Sequence, residues 1–202
     1  MSKAQRSFMP QNSPIESHGH PRFKIRDNGL GFSPITIALH WIVATLVLSI
    51  IVLKMLHSID PAWGSPRYVN LFGTLSFPLS IYRFWARITS WHPLPVGMPN
   101  PVEVIVSRSV AVALALAMML LPIAAWLAKS SAGQRIELPG EILVPSILSV
   151  HSGAAHVFNT LFDIGAGAFV CGLALHLFGA LKNHFVLKND SLKQMLGKHV
   201  EL

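Results

Sequence analysis

Apolar residues run along this chain in long unbroken stretches instead of alternating with polar ones. Four stretches approach the length of about 20 residues that a bilayer-spanning helix needs. The first, residues 35–56, is the clearest, and Lys54 lies close enough to its end to snorkel to the surface. The second, residues 68–88, is weaker: it holds Pro78 and several small polar residues and ends in Arg83, Trp85 and Arg87. The third, residues 109–128, is rich in Ala, Leu and Met, with Pro122 as the expected kink. The fourth, residues 150–181, is longer than a bilayer requires. Its glycines, Gly153, Gly165, Gly167, Gly172 and Gly179, allow a bend, a separate surface turn at its start, close helix approach or room for a planar cofactor. This pattern predicts an all-α protein, an integral membrane four-helix bundle of up-down topology.

Composition sharpens the picture. The 202 residues are 51% hydrophobic and 12% charged, whereas a soluble domain carries about 25% charged residues. The formal charge of +7 suggests nucleic-acid affinity only until its placement is considered. Lys3, Arg6, Arg22, Lys24 and Arg26 lie in the N-terminal tail, and Lys182, Lys188, Lys193 and Lys198 in the C-terminal one. Arg87 and Arg108 flank the link between the second and third stretches. The other two loops hold Arg67, Lys129 and Arg135, partly balanced by Asp60, Glu137 and Glu141. Such asymmetry is a topology signal, so both termini are expected in the cytoplasm and no nucleic-acid partner is expected.

The domain reading follows: a flexible basic tail over residues 1–34, a four-helix transmembrane domain over 35–185, and a cytoplasmic tail over 186–202. The first tail has no apolar h-region and does not read as a secretory signal. Cys171 is the sole cysteine, so no disulfide framework exists, and no Cys-x-x-Cys-His offers covalent haem attachment.

Two histidines interrupt the apolar stretches. His40 lies in Ile35-Thr36-Ile37-Ala38-Leu39-His40-Trp41, and His176 in Leu173-Ala174-Leu175-His176-Leu177-Phe178. Ionisable groups inside a hydrocarbon span are costly and normally face a partner within the protein. Two readings stand: a bis-histidine clamp on one haem iron, or two histidines bonded to serines or carbonyls across the bundle. With both termini inside, each lies about five residues from the cytoplasmic end of its span, or about 8 Å deep at 1.5 Å per residue. Random placement rarely matches so well, which favours the clamp. The other histidines carry less. His18 and His20 sit in the tail, and His92, His184 and His199 fall in cytoplasmic segments. His57, His151 and His156 lie towards the opposite face, as a second metal site or, better, a polar rim. Asp163 is the one carboxylate in the fourth stretch and is expected to pair across the bundle or face a water-filled cleft.

Several motifs carry a family resemblance. Phe32-Ser33-Pro34-Ile35-Thr36-Ile37-Ala38-Leu39-His40-Trp41 resembles the first-helix pattern of bacterial cytochrome b-561 proteins, four-helix membrane haem carriers. Arg83-Phe84-Trp85-Ala86-Arg87 with His92-Pro93-Leu94-Pro95 resembles the family's link after the second helix. The most specific match is the exit from the last helix, from His176 through Lys182-Asn183-His184-Phe185 to Lys188-Asn189-Asp190-Ser191-Leu192-Lys193-Gln194-Met195. The resemblance covers about residues 32–197.

The resemblance implies electron transfer through haem b, with His40 and His176 as the metal ligands on the cytoplasmic side. It also implies the bacterial inner membrane as location, and a quinone and a redox protein as partners. Relatives carry a second haem near the other face. The positions corresponding to its ligands are Val69, four residues before Gly73 and fourteen before Arg83, and Phe162, fourteen before His176. Neither side chain can ligate iron, so one haem is expected; a second, through His57 with His151 or His156, is disfavoured. A ligating imidazole fixes its ring by donating from the other nitrogen, and Thr36, Ser80 and Thr45 are candidate partners. Arg83 and Arg87 are candidates to pair with haem propionates or, equally, with lipid headgroups. The competing reading is a non-catalytic subunit of a larger membrane complex; a transporter is disfavoured by the lack of an inverted repeat.

Overall fold

Three of the four helices start at a Ser-Pro or Asn-Pro step, where proline pre-sets the first turn, and in two of them the side-chain oxygen before it caps the helix. The computed structural model of the chain describes residues 33–89 and 100–188, together with residues 192, 195 and 196. The readings made for His18, His20, His92, His199 and the first tail up to residue 32 lie outside these. Helix α1 is Pro34–Ile59, and its N-cap Ser33 accepts from the Thr36 amide at 3.2 Å. Helix α2 is Pro66–Thr89, and helix α3 is Pro101–Ser131 with Asn100 accepting from the Val102 amide at 3.0 Å. Helix α4 is Ser152–Leu181 and runs into a π turn, Lys182–Val186.

The chain departs from the expected all-α pattern in one place. Strands β1, Ile136–Glu137, and β2, Leu143–Val144, pair antiparallel between α3 and α4. Two residues per strand are too few to show as a periodicity. The turn between them places Gly140 and Glu141 at positive φ, 80° and 62°. Helix α3 also begins eight residues before the expected residue 109, because Asn100-Pro101-Val102-Glu103 is a capping sequence that apolarity alone misses. At its other end the Gly133 amide donates to the Ser130 carbonyl and the Gln134 amide to the Lys129 carbonyl. With Gly133 at φ 73°, this is a Schellman motif. Helix α4 begins cleanly at Ser152 without the separate turn envisaged for it.

Helix α1 packs on α2, α2 on α3, and α3 on α4; α1 and α4 share no extended contact. The start of α1 meets the end of α2 through His40 and Arg83, and the start of α3 meets the end of α4 through a 2.7 Å Glu103–Lys182 ion pair. What is buried between helices is small and largely polar: Ser76, Ser80, Ser130 and Ser131, with Val43, Ala128 and Ala155. Large apolar side chains such as Leu48, Ile105, Leu120, Leu161 and Phe178 point outward. In water this arrangement would forfeit its hydrophobic stabilisation. In lipid it is the stable one, since helices there associate through small residues and hydrogen bonds. Helices α1 and α3, and α4 with its π turn, are long and apolar enough to cross a membrane. Helix α2 is the more polar one, with Ser76 and Ser80 buried against its neighbours and each hydroxyl bonded to a carbonyl one turn back.

Candidate functional site

His40 sits on the second turn of α1 and His176 one and a half turns before the end of α4, both half-buried. The two imidazoles lie within electrostatic range of each other, although their helices share no extended contact. Arg83, near the end of α2, completes the group. Its Nη2 donates to His40 Nδ1 at 3.0 Å, and its charge also reaches His176. Arg87, one turn further on, is in range of His176 and of Arg108 on α3. Among the described residues none of these three arginines has a carboxylate at ion-pair distance; the two ion pairs formed are Arg67–Glu137 and Glu103–Lys182.

The hydroxyls considered as partners for the imidazoles are engaged elsewhere. Thr45 Oγ1 donates to the Trp41 carbonyl at 2.9 Å, Ser80 Oγ to the Ser76 carbonyl at 2.6 Å, and Thr36 Oγ1 accepts from Ser33 Oγ at 3.1 Å. Each bond is made within or at the start of its own helix, as Ser and Thr in apolar helices tend to do. Arg83 is the His40 partner, a pairing between sequence-distant residues that spacing does not reveal. A further contact escaped the sequence altogether. Trp41 Nε1 donates to the Met195 carbonyl at 3.0 Å, which places Met195 against the start of α1, next to His40 in sequence.

The opposite end differs in kind. Val69 and Phe162 are half-buried there, and the Lys54 ammonium lies 5.5 Å from the centroid of the Phe162 ring. Lys54, itself exposed, thus also has an aromatic face within reach. Lys129 Nζ donates to Asn70 Oδ1 at 3.4 Å. His151 is the N-cap of α4, its Nδ1 accepting from the Ala154 amide at 3.1 Å, which gives it a structural task. His57 and His156 are exposed, as is Asp163, and no cluster of three metal-ligating side chains occurs among the described residues.

The donor set at the first end fits a haem. Two half-buried imidazoles come from helices that do not close on each other, and the nearby guanidiniums have no carboxylate at ion-pair distance among the described residues. Such a site, on helices whose large apolar residues face outward, defines a helical membrane protein with a paired-histidine centre. The comparisons are specific: the family described as prokaryotic cytochrome b561 matches residues 31–198. The chain belongs to that family, and is thereby a haem-binding membrane cytochrome of electron transport in contact with the lipid bilayer. It is also 28% identical over 172 residues to cytochrome b561 homolog 2 of Escherichia coli strain K12, an alignment covering 83% of this chain and 92% of that protein.

Proposed function

We propose that this protein is a multi-pass cytochrome of the bacterial inner membrane that moves single electrons through one bis-histidine haem b, between the quinone pool and a redox partner. All four helices cross the bilayer in up-down order, with both termini in the cytoplasm. The observation that carries the reading is the convergence of His40 and His176 from the two helices that share no extended contact, with Arg83 in reach of both. Such a haem would supply a one-electron couple, and His40 and His176 would hold it. Arg83 and Arg87 are the donors for its carboxylates, for which a planar guanidinium is suited by its paired N–H groups. The outward apolar side chains of α1 and α4 keep water from the centre, which favours electron transfer over side chemistry.

Phe162 and Val69 support a single haem. An apolar side chain stands at each position where relatives supply a ligand, and the Phe162 ring is engaged with Lys54. The deciding experiment is a reduced-minus-oxidised absorption spectrum of the purified chain. A low-spin b-type spectrum that His40→Ala and His176→Ala each abolish supports the reading; full retention in either variant removes that residue as a ligand. Reporter fusions placing either terminus outside would overturn the topology.

A further inference from the structure

Arg83 does something at this site that pairing with a carboxylate does not cover. A neutral imidazole carries one N–H and one in-plane lone pair, whereas a guanidinium carries five donors and no acceptor. The 3.0 Å contact from Arg83 Nη2 to His40 Nδ1 therefore has one chemical meaning: Nδ1 accepts, and the ring proton sits on Nε2. In that form His40 has no lone pair left for a metal.

The geometry points to Arg83 as a guard on His40: it holds the only lone pair of the imidazole in the haem-free chain and must release it before His40 can ligate iron. This rests on the proposed ligation by His40 and His176 and adds an order of events to it. The exclusion holds for either ring nitrogen. If His40 ligates through Nδ1, the iron takes the place now held by the guanidinium. If it ligates through Nε2, the proton leaves that atom and one is taken up at Nδ1, so that two N–H donors would face each other unless Arg83 moves. In both cases the hydrogen bond to Arg83 breaks and one coordinate bond forms: in the first from the Nδ1 lone pair itself, in the second from the pair freed at Nε2 while the Nδ1 pair takes the proton; the proton count on the ring is unchanged and no electron moves.

Two further observations explain why Arg83 rests on His40. A half-buried guanidinium without an acceptor is costly, and no carboxylate lies at ion-pair distance among the described residues. Thr36, Ser80 and Thr45, the hydroxyls that the sequence suggested here, are bonded within or at the start of their own helices. Displaced from His40, Arg83 becomes a free bidentate donor for a carboxylate, the group a haem brings with it.

The test uses the full-length chain purified from haem-starved cells in detergent micelles, with helix content checked by circular dichroism. Haemin is added, and formation of the six-coordinate low-spin spectrum is timed in wild type, Arg83→Met and Arg108→Met. A hydrogen bond to a charged donor is worth enough to hold back the ligation step roughly tenfold. Arg83→Met should therefore reach the low-spin state about ten times faster than wild type, while Arg108→Met, which removes the same charge from α3 and no contact with His40, should not. Equal rates in all three chains overturn the guard and leave the bis-histidine reading intact. A wild-type chain that never becomes six-coordinate overturns that reading, and the guard with it. Nitrogen-15 NMR of the histidine-labelled, haem-free wild type provides a check free of any variant. A His40 ring protonated at Nε2 with a hydrogen-bonded Nδ1 is expected, and a proton on Nδ1 overturns the guard.

Discussion

The two ends of the helix bundle use polar residues in opposite ways. At the end where β1 and β2 lie, several polar groups are tied to one another or to the backbone. Arg67 Nε donates to Glu137 Oε2 at 3.1 Å, Asn70 Nδ2 to the Glu137 carbonyl at 2.9 Å, and Trp126 Nε1 to the Pro145 carbonyl at 3.0 Å. Ser130 Oγ accepts the amides of Ile147 and Leu148 at 2.7 and 2.8 Å. At the other end, His40, His176 and three arginines gather without a carboxylate partner among the described residues. The first end is organised to hold helices together. The second is left with unspent charge and two imidazoles, which is the cost of keeping a place for a ligand. Structures commonly concentrate such unsatisfied chemistry where function lies.

That contrast breaks first, if it breaks, at the histidines. A pyridine haemochrome assay should find about one haem per chain. His40→Ala should reduce it to none, whereas His57→Ala, His151→Ala and His156→Ala should leave it at the wild-type value. Two haems per chain, lowered by His156→Ala, would give the second end a redox role and erase the distinction drawn between them. Histidines at both Val69 and Phe162 should restore a second site only if the Lys54–Phe162 contact gives way.

Ser130 sharpens the contrast from the structural side. It is 1% exposed and its hydroxyl is the shared acceptor for two backbone amides and a neighbour of Ser146 Oγ at 2.7 Å. Ser130→Ala removes that acceptor, so unfolding in SDS-titrated micelles should show a loss of about 2 kcal/mol. The haem spectrum should be unchanged. A smaller effect is expected at the start of α4. His151→Ala removes the cap that binds the Ala154 amide and should cost about 1 kcal/mol, again without spectral change. A spectral change in either variant would mean that the two ends are coupled.

How much of this was legible in the sequence depends on how local each feature is. Four helices follow from four apolar runs, and the proposed pairing of His40 with His176 rests on their matched depth, because both are read from single segments and their ends. The early start of α3 is equally legible: Asn100, Pro101 and Glu103 spell a capped N-terminus, although the apolar pattern begins only later. The partner of His40 was not legible. Thr36 and Thr45 share its helix and look closer in sequence, yet helix hydroxyls prefer their own carbonyls, and Arg83 arrives from 43 residues away. The return of the Met195 carbonyl to Trp41 across 154 residues is hidden for the same reason.

The smallest expected effect concerns the ion pair that looks most like a clasp. Arg67 and Glu137 join the start of α2 to β1 at 3.1 Å, but both side chains are 53% exposed. Water and salt screen such a pair, and two long side chains lose freedom in forming it, so its coupling is worth less than about 1 kcal/mol. A double-mutant cycle of Arg67→Ala and Glu137→Ala should give a coupling near the lower end of that range, shrinking further at high salt. Glu137 also accepts from Asn70, but through its backbone carbonyl, which the substitution keeps. The hairpin should therefore stay docked in the double variant, held by that bond and by Ser130. A coupling well above 1 kcal/mol would place the strength of this end in its charges after all, and the difference between the two ends would then be one of pairing alone.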